Sequence, residues 1–253
     1  MKVNSWDDDE LNIVIPMAGE GSRFSRVGYK KPKPFIDVNG KPMISMVLQN
    51  LSCLDANFVL IAREDHLKQE PKLVKEIEDK YPVTFLPISH LTEGAACTVL
   101  HAREFINNDD PLIIANSDQI VDINFQSFVS DSIDRKLDGS LMVFLDESKD
   151  PKWSFAKIDE NAIVQEVKEK EPISNLATVG IYMFNEGKDF VDSAIDMIVN
   201  RDQVNDEYYV CPVYNYAIRN NKKFGVFEIP FESMHGLGTP QDLDMYLSKS
   251  SNI

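Results

Sequence analysis

The chain has 253 residues, 43% of them hydrophobic and 26% charged, which is ordinary for a soluble globular protein and ample for a buried core. Its 41 acidic against 26 basic side chains leave a formal net charge of -15, which argues against nucleic acid as a partner, because such binders carry a basic face. The apolar runs are too short to span a bilayer, the start MKVNSWDDDELN has no apolar signal core, and Cys53, Cys97 and Cys211 form neither a disulfide framework nor a zinc pattern, so the expected compartment is cytoplasmic, with no membrane partner.

In chain order, Ile13–Ile15 reads as a short buried strand, with Pro16 at its C-terminal end because proline removes a ladder donor from a central strand. Further strands are expected at Phe58–Ala62, Val83–Ile88, Leu112–Ala115 and Ser140–Leu145, with helices at Pro42–Leu51, His66–Lys80 and Gly94–Ile106 between them. That alternation predicts an α/β fold, a Rossmann-like, mostly parallel central sheet with helices on both faces. After about residue 145 the rhythm changes. Phe155–Ile158, Ile163–Val167 and Thr178–Phe184 read as strands, with a hairpin candidate at Asp159–Asn161. Helices follow over Asp189–Asn200 and Asp206–Arg219, then a strand over Phe224–Ile229 and a final helix over Pro240–Leu247, proline in its first turn. This part predicts a small mixed β lobe. There is no internal repeat, and no hexapeptide β-helix repeats of an appended acyltransferase domain.

Residues 13–42, IVIPMAGEGSRFSRVGYKKPKPFIDVNGKP, concentrate the chemistry. Gly19 and Gly21 follow the first strand, and from Arg23 to Lys41 stand six basic residues (Arg23, Arg26, Lys30, Lys31, Lys33, Lys41) against one acidic, Asp37. Bare backbone amides at a strand end, followed by cations, suit a polyphosphate. The glycine pair alone is as often an ordinary turn, and it lacks both the third glycine of a dinucleotide fingerprint and the G-K-[ST] of a P-loop. AGEGSRF followed by KPKPFIDVNGKPMI resembles the signature of the nucleotidyltransferases that activate sugar 1-phosphates and related phosphorylated acceptors.

The resemblance implies one nucleotidyltransferase domain over 1–253, with about 11–145 as the nucleotide-binding half and about 146–253, including the β lobe, as the acceptor-binding half. It implies that Ala18, Gly19, Gly21 and Ser22 hold the nucleotide. Arg23 and Lys33 would be catalytic, Arg23 on the β- and γ-phosphates and Lys33 between the α-phosphate and the incoming phosphate. Thr92-Glu93-Gly94-Ala95-Ala96 is similar to a family turn against base and ribose, which assigns Glu93, Gly94 and Ala95 to the nucleotide; a helix capped by Thr92 explains the same residues without a ligand. Asn116-Ser117-Asp118, closing an apolar strand, resembles the family's metal-binding strand end, which gives Ser117 to the nucleotide and Asp118 to Mg²⁺; a strand-end aspartate is otherwise a turn former. Val167-Lys168-Glu169-Lys170-Glu171-Pro172 and the strand at 178–182 are similar to the stretch that holds the acceptor, which implies Lys170, Thr178 and Gly180 there. Lys168 competes with Lys170, and a charge run of this kind is otherwise a solvated face.

Gly236-Leu237-Gly238-Thr239-Pro240 departs from the family pattern, which has a second metal-binding aspartate where Gly236 stands. Glu232, or the nucleotide phosphates, would have to compensate. His235 is an acceptor contact or a structural side chain. The reaction implied is Mg²⁺-dependent transfer of a nucleoside monophosphate to a phosphorylated small molecule with release of pyrophosphate. A general likeness to capsule-polysaccharide cytidylyltransferases implies CTP as the triphosphate and a phosphorylated amino acid such as phosphoglutamine as acceptor. Alternatives are a sugar 1-phosphate with dTTP, UTP or GTP, a glycosyltransferase (whose Asp-x-Asp motif is missing, Asp7–Asp9 preceding the first strand), and a non-catalytic nucleotide-binding regulatory domain. A homodimer is implied by the resemblance alone.

Overall fold

The computed structural model describes residues 10–250; the N-terminal segment read above for a signal core and for Asp7–Asp9 lies outside the described residues, apart from its last few positions. The elements run β1 (Asn12–Pro16), α1 (Ser22–Arg26), β2 (Asp37–Val38), β3 (Lys41–Pro42), α2 (Met43–Leu51), β4 (Asn57–Arg63), α3 (Glu64–Gln69), α4 (Pro71–Lys80), β5 (Val83–Ile88), α5 (Ala95–Leu100), α6 (Arg103–Ile106), β6 (Leu112–Ala115), β7 (Gln119–Val121) and α7 (Phe125–Asp134). They continue with β8 (Gly139–Leu145), β9 (Ser154–Ile158), β10 (Val164–Glu169), β11 (Leu176–Phe184), α8 (Gly187–Val199), α9 (Val213–Arg219), β12 (Phe224–Glu228), β13 (Met234–Gly236) and α10 (Pro240–Ser250).

Nine strands form one mixed sheet in the order β10-β9-β11-β6-β1-β4-β5, with β8 pairing β11 and carrying β12 on its other edge. β1, β4, β5 and β6 are parallel, in registers such as Ile13↔Phe58, Leu60↔Phe85 and Ile13↔Ile113. The chain winds outward from β1 through β4 to β5, then returns to β1's other side for β6. The carboxyl ends of β1 and β6 therefore diverge into loops that leave a crevice, the usual ligand position of such sheets. β11 runs antiparallel to β6 (Tyr182↔Ile114) and to β8 (Tyr182↔Leu141), and β12 is parallel to β8. The mixed β portion thus grows out of the same sheet.

The inner strands β1, β6 and β11 are apolar on both sides because both faces are covered. Val14, Ile114, Tyr182 and Phe184 meet Val99, Phe190 and Tyr214 from α5, α8 and α9. Their neighbours Ile13, Ile15, Ile113 and Ala115 pack against α2 (Ile44, Val47, Leu48) and α7 (Phe125, Phe128). Tyr214 is fully buried, stacks on Phe184 at 4.5 Å between ring centres and meets Phe224 edge-on at 4.7 Å. Its hydroxyl donates to the Met183 and Ser140 carbonyls.

Several elements differ from the sequence reading. The helix expected over His66–Lys80 is two, parted where Pro71 forbids α-conformation at Glu70, whose φ/ψ is -124°/51°. The helix expected over Gly94–Ile106 is also two, since His101 and Ala102 donate to the third preceding carbonyl and tighten the turn. Helix α9 starts at Val213, not near Asp206. Asn205 and Asp206 have left-handed φ of 50° and 62°, and the Tyr208 backbone bonds to Glu93 and Ala96 instead of to its own segment. Helices α1 and α7 and the two small antiparallel sheets, β2/β3 and β7/β13, had no counterpart in the expectation. No helix among the described residues is long and apolar enough to cross a membrane.

Candidate active site

β1 ends at Pro16, and residues 17–21 turn into α1. Gly21 sits at a left-handed φ of 62°, and a Cβ there would come within 2.9 Å of the Lys33 Cβ, so a side chain fails on both conformation and space. Phe24, 1% exposed and edge-on to Tyr29 at 5.2 Å, anchors α1 and leaves Arg23 on the cavity side. Between Pro32 and Pro34, a 3-10 turn over Lys33–Phe35 sets the position of Lys33. Its ammonium donates to the Asp118 carboxylate just beyond β6.

Asp118 is held from the far end of the chain. β13 pairs with β7 in the register Gly236↔Gln119, and the Leu237 N–H donates to the Asp118 carbonyl at 2.8 Å. Gly238 then packs so closely that a Cβ would lie 2.7 Å from Asp118 Oδ2. Around these groups is a cavity of about 440 Å³, lined by Gly19, Gly21, Ser22, Arg23, Lys33, Ser117 and Asp118, with Glu207 and Gly238 completing the wall.

A second cavity of about 310 Å³ shares Ala95 and Asn116 with the first. Thr178 and Gly180 of β11 line it, with Gln119, Trp153, Ser154, Glu169, Tyr209 and Cys211. β11 loses its pairing register with β8 between Thr178 and Tyr182, which bends these residues out of the regular ladder. Burial pushes the Glu169 carboxyl above the ordinary carboxylate range, against the pull of the Ser154 hydroxyl that donates to it and of the Lys170 charge. Burial likewise pushes the Tyr182 phenol and the Cys211 thiol far up, so neither ionises near neutrality. Gln119 is 8% exposed, and its Nε2 has no hydrogen-bond partner.

Of the residues expected at the site, Arg23, Lys33, Gly19, Gly21, Ser22, Ala95, Ser117 and Asp118 line the first cavity. Ala18 is 3% exposed and belongs to the core behind it. Glu93 and Gly94 form the turn before α5 and do not line either cavity, although their neighbour Ala95 lines both. Thr178 and Gly180 line the second cavity, and Lys170 reaches it through Tyr209, whose hydroxyl accepts from the lysine ammonium. Lys168 instead lies near Glu166 at 3.6 Å on a half-exposed edge. His235 Nε2 bonds to the Asp122 carboxylate at 2.8 Å, a structural tie between β13 and the end of β7. Sequence reasoning missed Asn116, Gln119, Glu169, Glu207 and Tyr209. Glu169 adjoins Lys170, and Asn116 and Gln119 flank Ser117 and Asp118 in sequence, so these three could have been found from their neighbours; Glu207 and Tyr209 carry no local signal.

Among the described residues, no group of three or more histidine, cysteine or acidic side chains gathers to hold a metal. Asp118 and Glu207 nevertheless place two hard oxygen donors in the first cavity, and Mg²⁺ commonly takes one or two carboxylates and completes its shell with phosphates and water. The site fits such an ion. Glu232 is exposed and absent from the cavity wall, and Asp242, near Gly236, accepts from the Thr239 hydroxyl as part of a helix cap.

Residues 13–231 match the model of a protein family described as nucleotidyl transferase. The chain is 28% identical over 180 residues to the bifunctional protein GlmU of Methanocaldococcus jannaschii, an overlap covering 70% of this chain and 40% of that one. It is also 28% identical over 187 residues to the mannose-1-phosphate guanylyltransferase catalytic subunit beta of Drosophila pseudoobscura pseudoobscura, covering 72% and 50%. The chain thus spans half the length or less of these curated relatives. In fold it is similar to a nucleoside-diphosphate-sugar pyrophosphorylase from Vibrio cholerae, with a TM-score of 0.81 at 24% identity over 93% of this chain and 99% of that one. It is similar in the same sense to the inositol-1-phosphate CTP transferase of T. maritima, with a TM-score of 0.73 at 15% identity over 95% and 96%. With the family match running from the first strand past the last strand of the sheet, the chain belongs to the nucleotidyl transferase family.

Proposed function

We propose that the protein transfers a nucleoside monophosphate from a nucleoside triphosphate to a sugar 1-phosphate, releasing pyrophosphate. The observation that carries this reading is the pair of cavities with a common wall at Ala95 and Asn116, one lined by the glycine loop and cations, the other by hydrogen-bonding side chains. An acceptor phosphate oxygen attacks the α-phosphorus; a new P–O bond forms there while the bond to the β-phosphate oxygen breaks and pyrophosphate leaves. No covalent enzyme intermediate is needed, so the work is positioning and charge neutralisation.

In this reading, backbone at Gly19 and Gly21 and the Ser22 side chain cradle the phosphates. Arg23 neutralises the charge that builds on the leaving pyrophosphate. Lys33, paired with Asp118 across the cavity, would bridge the α-phosphate and the incoming phosphate. When bound, the ion supplies Lewis-acid neutralisation of the triphosphate, and Asp118, with Glu207, would hold it. Thr178, Gly180 and Lys170 receive the acceptor. Sugar phosphates are favoured because the relatives above include a mannose-1-phosphate guanylyltransferase, whereas none of them is named for a phosphorylated amino acid. CTP and phosphoglutamine remain in the assay as the competing pair.

The test is pyrophosphate release with Mg²⁺ across CTP, UTP, dTTP and GTP, each crossed with hexose 1-phosphates and phospho-amino acids. The expected result is release that needs both substrates, is fastest with a sugar 1-phosphate, and falls at least about a hundredfold in Lys33→Ala without loss of fold. Triphosphate binding without release in any combination would establish a regulatory domain instead.

A further inference from the structure

Lys170 adopts a left-handed φ of 57°, a conformation usual for glycine or asparagine and rare for lysine. Its N–H donates to the Trp153 carbonyl at 3.0 Å, which fixes the backbone in that turn. Its ammonium donates to the Tyr209 hydroxyl and lies 4.4 Å from the centre of the Tyr209 ring. A lysine head gripped this way, with three donors, retains N–H groups for another partner.

Tyr209 belongs to the non-helical segment ahead of α9, and its neighbours explain why it stays put. Tyr208 accepts from Ala96 and donates to Glu93, at 2.9 and 2.7 Å, clamping the segment to the turn before α5. Glu207 lines the first cavity and Tyr209 the second. Burial pushes the Tyr209 phenol well up, and the Glu207 carboxylate pushes it further, while Arg23 pulls weakly the other way. The hydroxyl therefore keeps its proton near neutrality. It can donate toward Glu207 while accepting from Lys170.

We propose that Tyr209, on the wall of the second cavity, is a positioning residue for nucleotidyl transfer, its ring and hydroxyl holding the Lys170 ammonium beside that cavity to meet the phosphate of the acceptor. This deepens the reading of the second cavity as the acceptor site and rests on it. No expected site residue included Tyr209, which lies 39 positions from the lysine it holds. A merely structural tyrosine would affect folding; a positioning tyrosine affects anion binding only through Lys170.

The experiment uses inorganic phosphate as the probe in ¹⁵N-labelled protein, with melting followed in parallel. Phosphate is expected to shift the Lys170 and Tyr209 amides. Affinity at those amides should fall about tenfold in Tyr209→Leu, the scale of one lost hydrogen bond to a charged group, and less in Tyr209→Phe, which keeps the ring. Lys170→Ala should weaken the response more than Tyr209→Leu does, and Tyr209→Leu in that background should weaken it no further, with melting of Tyr209→Phe unchanged. Wild-type affinity in both Tyr209 variants, additive losses in the double variant, or no phosphate response at these amides would each overturn the proposal. Because no turnover is involved, a failed pyrophosphate assay beside a positive phosphate titration would remove the transferase reading and leave the Tyr209–Lys170 anion site standing.

Discussion

Glu169 illustrates the tension between charge and burial at single residues. It sits in the wall of the second cavity with its carboxyl raised by burial, so the folded state binds its proton more readily than the unfolded chain. Such a group contributes stability below the ordinary carboxylate pKa and loses it as pH rises through the elevated value. Glu169→Gln removes that linkage. The variant is therefore expected to melt a few degrees above the wild type at pH 7, with the gap closing toward pH 4, while its pyrophosphate-release rate drops. A gap of equal size at both pH values would refute the linkage. The strain at Lys170 is of the same kind, since a left-handed lysine costs on the order of 1–3 kcal/mol, a cost usually kept where geometry serves a ligand.

At the scale of elements, Tyr214 is the point where α9 meets the sheet, and its two jobs can be separated. Tyr214→Phe keeps the stack on Phe184 and loses the bonds to Met183 and Ser140, an expected cost of about 1 kcal/mol in denaturant unfolding. Tyr214→Ala also opens a cavity and should cost about 3–5 kcal/mol. If the two variants unfold alike, ring packing is not what docks the helix. The inner parallel strand Leu112–Ala115 was readable from sequence because burial on both faces makes it a continuous apolar run; the half-exposed edge strand Val83–Ile88, whose interior carries Thr84 and Pro87, also has the expected bounds. Helix α7 was equally periodic, with Phe125, Phe128, Val129 and Ser132 buried at helical spacing, yet went unread. The segment at 206–212 could not be read, because its shape is set by hydrogen bonds to Glu93 and Ala96 more than a hundred residues earlier. The same distance explains the site. Arg23 and Lys33 stand in one contiguous motif, whereas Glu207 and Tyr209 reach the cavities only through the fold.

For the molecule as a whole, the two cavities open on one sheet, so a ligand long enough to occupy both should bind better than either part. At a hundredfold excess over its dissociation constant, a nucleotide-linked product of the pyrophosphate-release assay is expected to stabilise the protein by about 2.7 kcal/mol, a rise in Tm of several degrees. The corresponding nucleoside monophosphate at the same concentration should give less, and equal shifts would mean that only one cavity is used. The pairing of β13 with β7 bears on a different matter, the order in which the protein is made. Asp118 emerges from the ribosome well before Leu237 and Gly238, whose backbone closes around it. The nine-stranded sheet, complete at Glu228, can therefore form while the first cavity still lacks a wall. A nascent chain is a folded scaffold before that cavity is closed, and synthesis must pass residue 238 before its wall is complete.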